Sequence, residues 1–143
     1  MKAKTIKERL HEGQSLQKAV NNTINSSQQR EYRLLKRVKK ILDYEYKYFI
    51  TWTLKDKYID LQHETHIRKI KEALSMASVW VTNIDYGKRK GRLHYHSLVG
   101  YLGQLDYNII QDIYQYGNVD VVPIYDTNAE ALRNYLTKLK EHA

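Results

Sequence analysis

The chain has no cysteine and a single proline among its 143 residues. Without cysteine there is no disulfide framework, no thiolate metal site and no cysteine nucleophile. No apolar run approaches the roughly 20 residues that a bilayer span needs. Residues 1–10 are charged throughout, which argues against a secretory signal. No G-x-x-x-x-G-K-[ST] sequence occurs, so a P-loop ATPase is excluded within the chain. Acidic residues are in deficit: 16 Asp and Glu face 24 Lys and Arg, a formal net charge of +8. Against these absences stand 42% hydrophobic and 28% charged residues, the balance of a globular rather than a disordered chain. There are also 13 tyrosines. A basic, tyrosine-rich chain points to an anionic partner, with nucleic acid first, and the expected setting is cytoplasmic.

Residues 1–29 are polar and end in the Gln/Asn/Ser-rich stretch 21–29, which reads as a loosely helical extension and linker ahead of a domain over residues 30–143. From Arg30 the pattern tightens. Leu34, Leu35, Val38, Ile41 and Leu42 follow one helix face, with Arg30, Arg33, Lys36, Arg37, Lys39 and Lys40 opposite. Residues 48–54 alternate as a strand, with Phe49, Thr51 and Thr53 on one face. A helix over 63–76, strands over 79–86 and 93–99, a helix after Asp106 ended by Gly117, and a strand over 118–125 follow. Pro123 puts that last strand at a sheet edge. Thr127 and Glu130 have the form of a capping box for a final helix. The order predicts an α+β domain with a largely antiparallel sheet and helices across its faces.

The chemistry concentrates in Leu93-His94-Tyr95-His96. Residues two apart in a strand share a face, so His94 and His96 can offer two imidazoles to one ion. Asp85, near the end of the preceding strand, is the candidate third ligand. Two imidazoles and a carboxylate leave positions open for water and a phosphate oxygen, a mixed set suited to Mn²⁺ or Mg²⁺ and compatible with Zn²⁺. Between the strands, Lys88, Arg89, Lys90 and Arg92 form a basic turn, either an exposed hairpin tip or, beside the candidate metal site, a contact to the DNA backbone. On the last helix, Leu132, Leu136 and Leu139 make the core stripe. At about 100° per residue, Tyr135 and Lys138 flank that stripe on the same side. His63-Glu64-Thr65-His66 lacks the four-residue His spacing of zinc proteases and reads as a solvated helix face.

Three motifs in order, Phe49-Ile50-Thr51-Trp52-Thr53-Leu54, Leu93-His94-Tyr95-His96 and Tyr135-Leu136-Thr137-Lys138, resemble those of the HUH endonuclease superfamily. The likeness is nearest to the single-tyrosine initiators of rolling-circle replication in plasmids and phages. It implies a ferredoxin-like fold and a metal-dependent enzyme that nicks and rejoins single-stranded DNA. Its partner would be a replication origin in a hairpin, with a separate helicase and the host polymerase, in the host cytoplasm and away from membranes. Carried over by motif, Tyr135 is the nucleophile, His94, His96 and Asp85 hold the metal, and Lys138 positions or neutralises the phosphate. By the same resemblance, the face of Thr51 and Thr53 adjoins the active site and contacts DNA.

The chain departs from the family in using Asp85 where Glu is common, and in having no second tyrosine placed like Tyr135. A single-tyrosine transposase is the alternative within the same chemistry, although such enzymes tend to carry Gln four residues after the tyrosine, where this chain has Leu139. A non-catalytic nucleic-acid binder is the alternative from another class, against which stands the lack of an aromatic RNP-type strand.

Overall fold

The structure is a computed structural model describing residues 16–85 and 93–140, with side chains described outside residues 16–27, 85 and 140. The chain divides into two compact units, Met1–Lys36 and Arg37–Ala143. Helix α1 spans Leu16–Leu42, so the polar stretch 21–29, expected to be part of a loosely helical extension and linker, lies within one continuous helix. No Gly or Pro interrupts it, and Gln, Asn and Ser each cost only up to about 0.7 kcal/mol relative to Ala in a helix. In the second unit, the end of α1 buries Val38, Ile41 and Leu42, the apolar face expected from their spacing.

The second unit continues with β1 (Tyr46–Thr53), a short 3₁₀ turn (Asp56–Tyr58), α2 (His63–Ala73), β2 (Val79–Asp85), β3 (His94–Tyr101), α3 (Tyr107–Tyr114), β4 (Val119–Pro123) and α4 (Ala129–Lys140). The strands form one antiparallel sheet in the order β2-β3-β1-β4. Two β-α-β halves joined this way make a ferredoxin-like α+β fold. Pro123 lies on the edge strand β4, opposite Tyr48. No helix among the described residues is long and apolar enough to cross a membrane.

Alternation along the strands gives the sheet two distinct faces. Ile50 and Trp52 of β1 pair with Ser97 and Tyr95 of β3, and this face packs with Ile70 and Leu74 near α2 and Ile110 and Tyr114 of α3 as the main core. Trp52 and Ser97 are fully buried. The indole Nε1–H donates to Ser97 Oγ at 2.8 Å, and the Ser97 and Thr82 hydroxyls lie 2.6 Å apart, so the polar atoms taken from water are paired. The opposite face carries Phe49, Thr51 and Thr53 with His94 and His96, and α4 packs on that side through β2.

Expected helix boundaries differ at several places, and the helix expected over 63–76 ends at Ala73. Asn128, not Thr127, caps α4: its Oδ1 accepts from the Ala131 N–H at 2.9 Å, and Asn is the stronger cap. Asp106 caps α3 as expected, accepting from the Asn108 and Ile109 N–H groups. Gln115, with φ of 53°, ends that helix in place of Gly117. Gly117 serves a close approach instead. A Cβ there would lie 2.1 Å from the Thr53 carbonyl oxygen. Because the obstacle is backbone, Gly117→Ala is expected to cost about 1–3 kcal/mol or more. Gly103, with nothing within 4 Å of its would-be Cβ, should accept Ala with no measurable shift in urea midpoint.

In the His63–His66 segment, His63 and Glu64 are exposed as expected, but the reading as a solvated face fails at His66. His66 is fully buried, and its Nε2 lies 2.8 Å from the Tyr58 carbonyl. A carbonyl only accepts, so Nε2 carries the proton. In the neutral ring Nδ1 is then an acceptor, and the Tyr95 hydroxyl donates to it at 2.8 Å. His63 Nδ1 approaches the same hydroxyl at 3.1 Å. Residue 66 lies one turn before Ile70 on the inward stripe, which is why the ring points into the core. Tyr95 stands between His94 and His96, so this network anchors β3 from behind where the two histidines project.

Candidate active site

Two neighbouring rungs of the sheet build the site. In the first, Asp85 of β2, His94 of β3 and Thr53 of β1 are Cα partners in sequence across the strands. In the second, the partners are Asn83, His96 and Thr51. Directly paired residues of an antiparallel sheet project to the same side, so His94, His96, Thr51, Thr53 and Asn83 share the face on which α4 packs. The His94 and His96 rings lie with centroids 4.8 Å apart and planes at 88°. Thr51 Oγ1 lies 3.4 Å from His96 Nδ1. A proton on Nδ1 shared with that hydroxyl leaves the Nε2 lone pair for a metal, a common way of fixing a ligand tautomer.

Helix α4 brings the third motif to these rungs. The Phe49 ring stacks on His96 with centroids 5.3 Å apart and planes at 28°. Its other neighbour is Tyr135, 5.5 Å away. The Lys138 ammonium lies 5.0 Å from the Phe49 ring centre and 5.6 Å from that of Tyr135. Burial, and then the negative charge of Asp126, hold the Tyr135 phenol above its ordinary pKa. The Asn83 side-chain NH₂ donates to the Leu139 carbonyl in the last turn of α4.

Of the residues expected from sequence, His94, His96, Thr51, Tyr135 and Lys138 are thus brought to one face. Thr53 shares that face, but its hydroxyl donates to the Asn118 carbonyl at 3.2 Å and accepts the Asn118 N–H at 3.1 Å, bracing β1 against the start of β4. The backbone of Asp85 lies opposite His94; its side chain, and Lys88, Arg89, Lys90 and Arg92, lie outside the described residues. Among the described residues no three His, Cys, Asp or Glu side chains form a metal group. Two imidazoles with ring centres 4.8 Å apart on one face of the sheet are donors of the kind a borderline divalent ion takes.

Two further residues shape the site, Phe49 and Asn83. Phe49 is the only phenylalanine in a chain with 13 tyrosines, and it alternates with Thr51 on the histidine face. Asn83 is a poor strand former held in the middle of a strand, which is a signal in itself.

No family model matches the chain, and no curated protein matches it. Among solved structures, it is similar to the crystal structure of the hypothetical protein ORF119 from Sulfolobus islandicus rod-shaped virus 1, with a TM-score of 0.56 and 23% identity over 74% of this chain and 93% of that one. At that identity the likeness is one of fold.

Proposed function

We propose that the chain is a metal-dependent, sequence-specific endonuclease and strand-joining enzyme of the HUH type. It nicks single-stranded DNA at an origin through a 5′-phosphotyrosine link, and so starts rolling-circle replication in the cytoplasm of a host cell. The observation that carries the reading is the aromatic cluster of Tyr135, Phe49 and His96, in which three short motifs far apart in sequence meet.

The Tyr135 hydroxyl loses its proton and attacks the scissile phosphorus. The Oη–P bond forms, the P–O3′ bond breaks, and O3′ leaves as a 3′-hydroxyl after taking up a proton. One phosphodiester replaces another, so a DNA 3′-hydroxyl can reverse the step and the same site both nicks and joins. Phe49 packs against the tyrosine ring, the two planes tilted at 35°. Lys138, over both rings, offsets the charge of a phosphate beside Tyr135. His94, His96 and Asp85 would hold a divalent ion, Mn²⁺ or Mg²⁺, which when bound withdraws charge from the phosphate. Strand separation and synthesis fall to a helicase and a polymerase on other chains.

Incubating the chain with a pool of single-stranded oligonucleotides and Mn²⁺ tests this. A denaturant-resistant adduct, absent in chelator and mapped to Tyr135, is the expected result. DNA binding without an adduct would identify a non-catalytic binder instead.

A raised tyrosine pKa lowers the phenolate fraction at neutral pH, and below that pKa each pH unit raises the fraction about tenfold. Single-turnover adduct formation should therefore climb from about pH 6 to 8. Asp126→Asn removes the negative charge that helps raise the pKa, so it should speed the reaction at fixed pH. Asp126 is exposed and solvent-screened, which limits the gain to about threefold. Quenched time courses across pH give both results; a flat profile would remove tyrosine ionisation from the rate-limiting step.

A further inference from the structure

We propose that Asn83 is a positioning residue for Tyr135, setting the depth at which the tyrosine helix rests on the sheet; this rests on the reading of Tyr135 as the nucleophile. The last four carbonyls of a helix have no partner within it. In α4 one of them, that of Leu139, is taken by the Asn83 NH₂, and Leu139 itself is buried. Tyr135 lies one helical turn before that anchored carbonyl, about 6 Å along the axis. Asn83 is also the Cα partner of His96, which in turn pairs with Thr51. One rung of the sheet therefore carries both the candidate metal ligand and the tie to the nucleophile's helix. The separation of Tyr135 from His96 is then fixed through few intervening groups, with Phe49 completing the contact from β1.

A second observation supports a positioning role over a merely stabilising one. With its NH₂ turned to Leu139, Asn83 leaves Oδ1 buried without a hydrogen-bond partner among the described residues. An unpaired buried carbonyl oxygen opposes folding. A β-branched apolar residue would suit the middle of β2 better on stability grounds alone. Retaining an amide there makes sense if what matters is where α4 is held.

The test compares the full chain with Asn83→Ala, and with Asn83→Val should the alanine variant fail to fold. Four quantities are read: thermal midpoint, affinity for a single-stranded oligonucleotide, single-turnover adduct formation at saturating oligonucleotide and Mn²⁺, and the rate at which tetranitromethane nitrates Tyr135, located by peptide mapping. The expected result is a slightly lowered midpoint, unchanged DNA affinity, adduct formation slower by about tenfold or more, and faster nitration of Tyr135. Asn83→Asp, which sets a carboxylate against the Leu139 carbonyl, should lose more. Adduct formation within about threefold of the unaltered chain would overturn the proposal. So would a loss matched by equal losses of DNA affinity and midpoint, because that marks a structural role. If the unaltered chain forms no adduct, the nuclease reading fails. The tie to α4 is then judged by nitration alone, and an unchanged Tyr135 rate overturns it.

Discussion

Tyr135→Phe should abolish both nicking and the covalent adduct while leaving folding, metal binding and DNA binding in place. The substitution removes one oxygen and keeps the ring that packs 5.5 Å from Phe49, so α4 retains its contact with the sheet. Losing an enzyme's only nucleophile removes about 10⁴-fold or more of its rate. No other tyrosine stands on α4 to substitute for it. Lys138→Ala should behave differently. It removes a cation that lies over the same rings without bonding to phosphorus, so the adduct still forms, about 10–10³-fold more slowly. Peptide mapping of trapped complexes decides the assignment. A nucleotide on Tyr125 or any other residue, with Tyr135→Phe still active, would overturn it.

The second large effect is expected at the histidine pair. Both His94 and His96 are half-buried on the face away from the main core, so truncating either leaves that core intact. If the pair holds the divalent ion, His94→Ala should weaken Mn²⁺ binding and nicking together. The loss should exceed the roughly hundredfold that removal of a mere outer-shell partner reaches. His96→Ala should be more disruptive, because His96 also stacks on Phe49, the ring that Tyr135 packs against. Asp85→Ala should move in the same direction if its carboxylate is the third ligand. Calorimetric Mn²⁺ titration beside adduct yields separates the arms. Full cleavage in excess chelator, or by the variant lacking both histidines, would sink the metal hypothesis.

Much of the framework was legible in one dimension because strands and helices impose different periods on the same apolar residues. The alternation of β1 separates Ile50 and Trp52 from Phe49, Thr51 and Thr53, and the structure keeps that division. Asp106 announced its helix because a carboxylate can bind orphan N–H groups locally. Boundaries were less legible. Gly117 looked like a helix terminator, but its missing Cβ answers to the Thr53 carbonyl, 64 residues away in sequence and 2.1 Å from where a Cβ would be. His66 looked solvated because its partners, the Tyr95 hydroxyl and the Tyr58 carbonyl, arrive from a strand and a turn. In each case a long-range contact overrode the local pattern.

By itself the sequence determined the α+β class, the edge position of Pro123, the common face of His94 and His96, and the pairing of Tyr135 with Lys138 along one helix side. The class follows from the order of the elements, and the others from backbone geometry within a single element or from the donor that proline lacks. Only the tertiary structure decided the rest. Register is a property of two strands, so it took the assembled sheet to set Asp85 opposite His94 and Asn83 opposite His96. The approach of α4 to that face, through Phe49 and through the Asn83 amide, depends on side chains meeting across three elements. No periodicity in the chain encodes such a meeting, because the groups that meet are brought together only when the sheet and its helices pack.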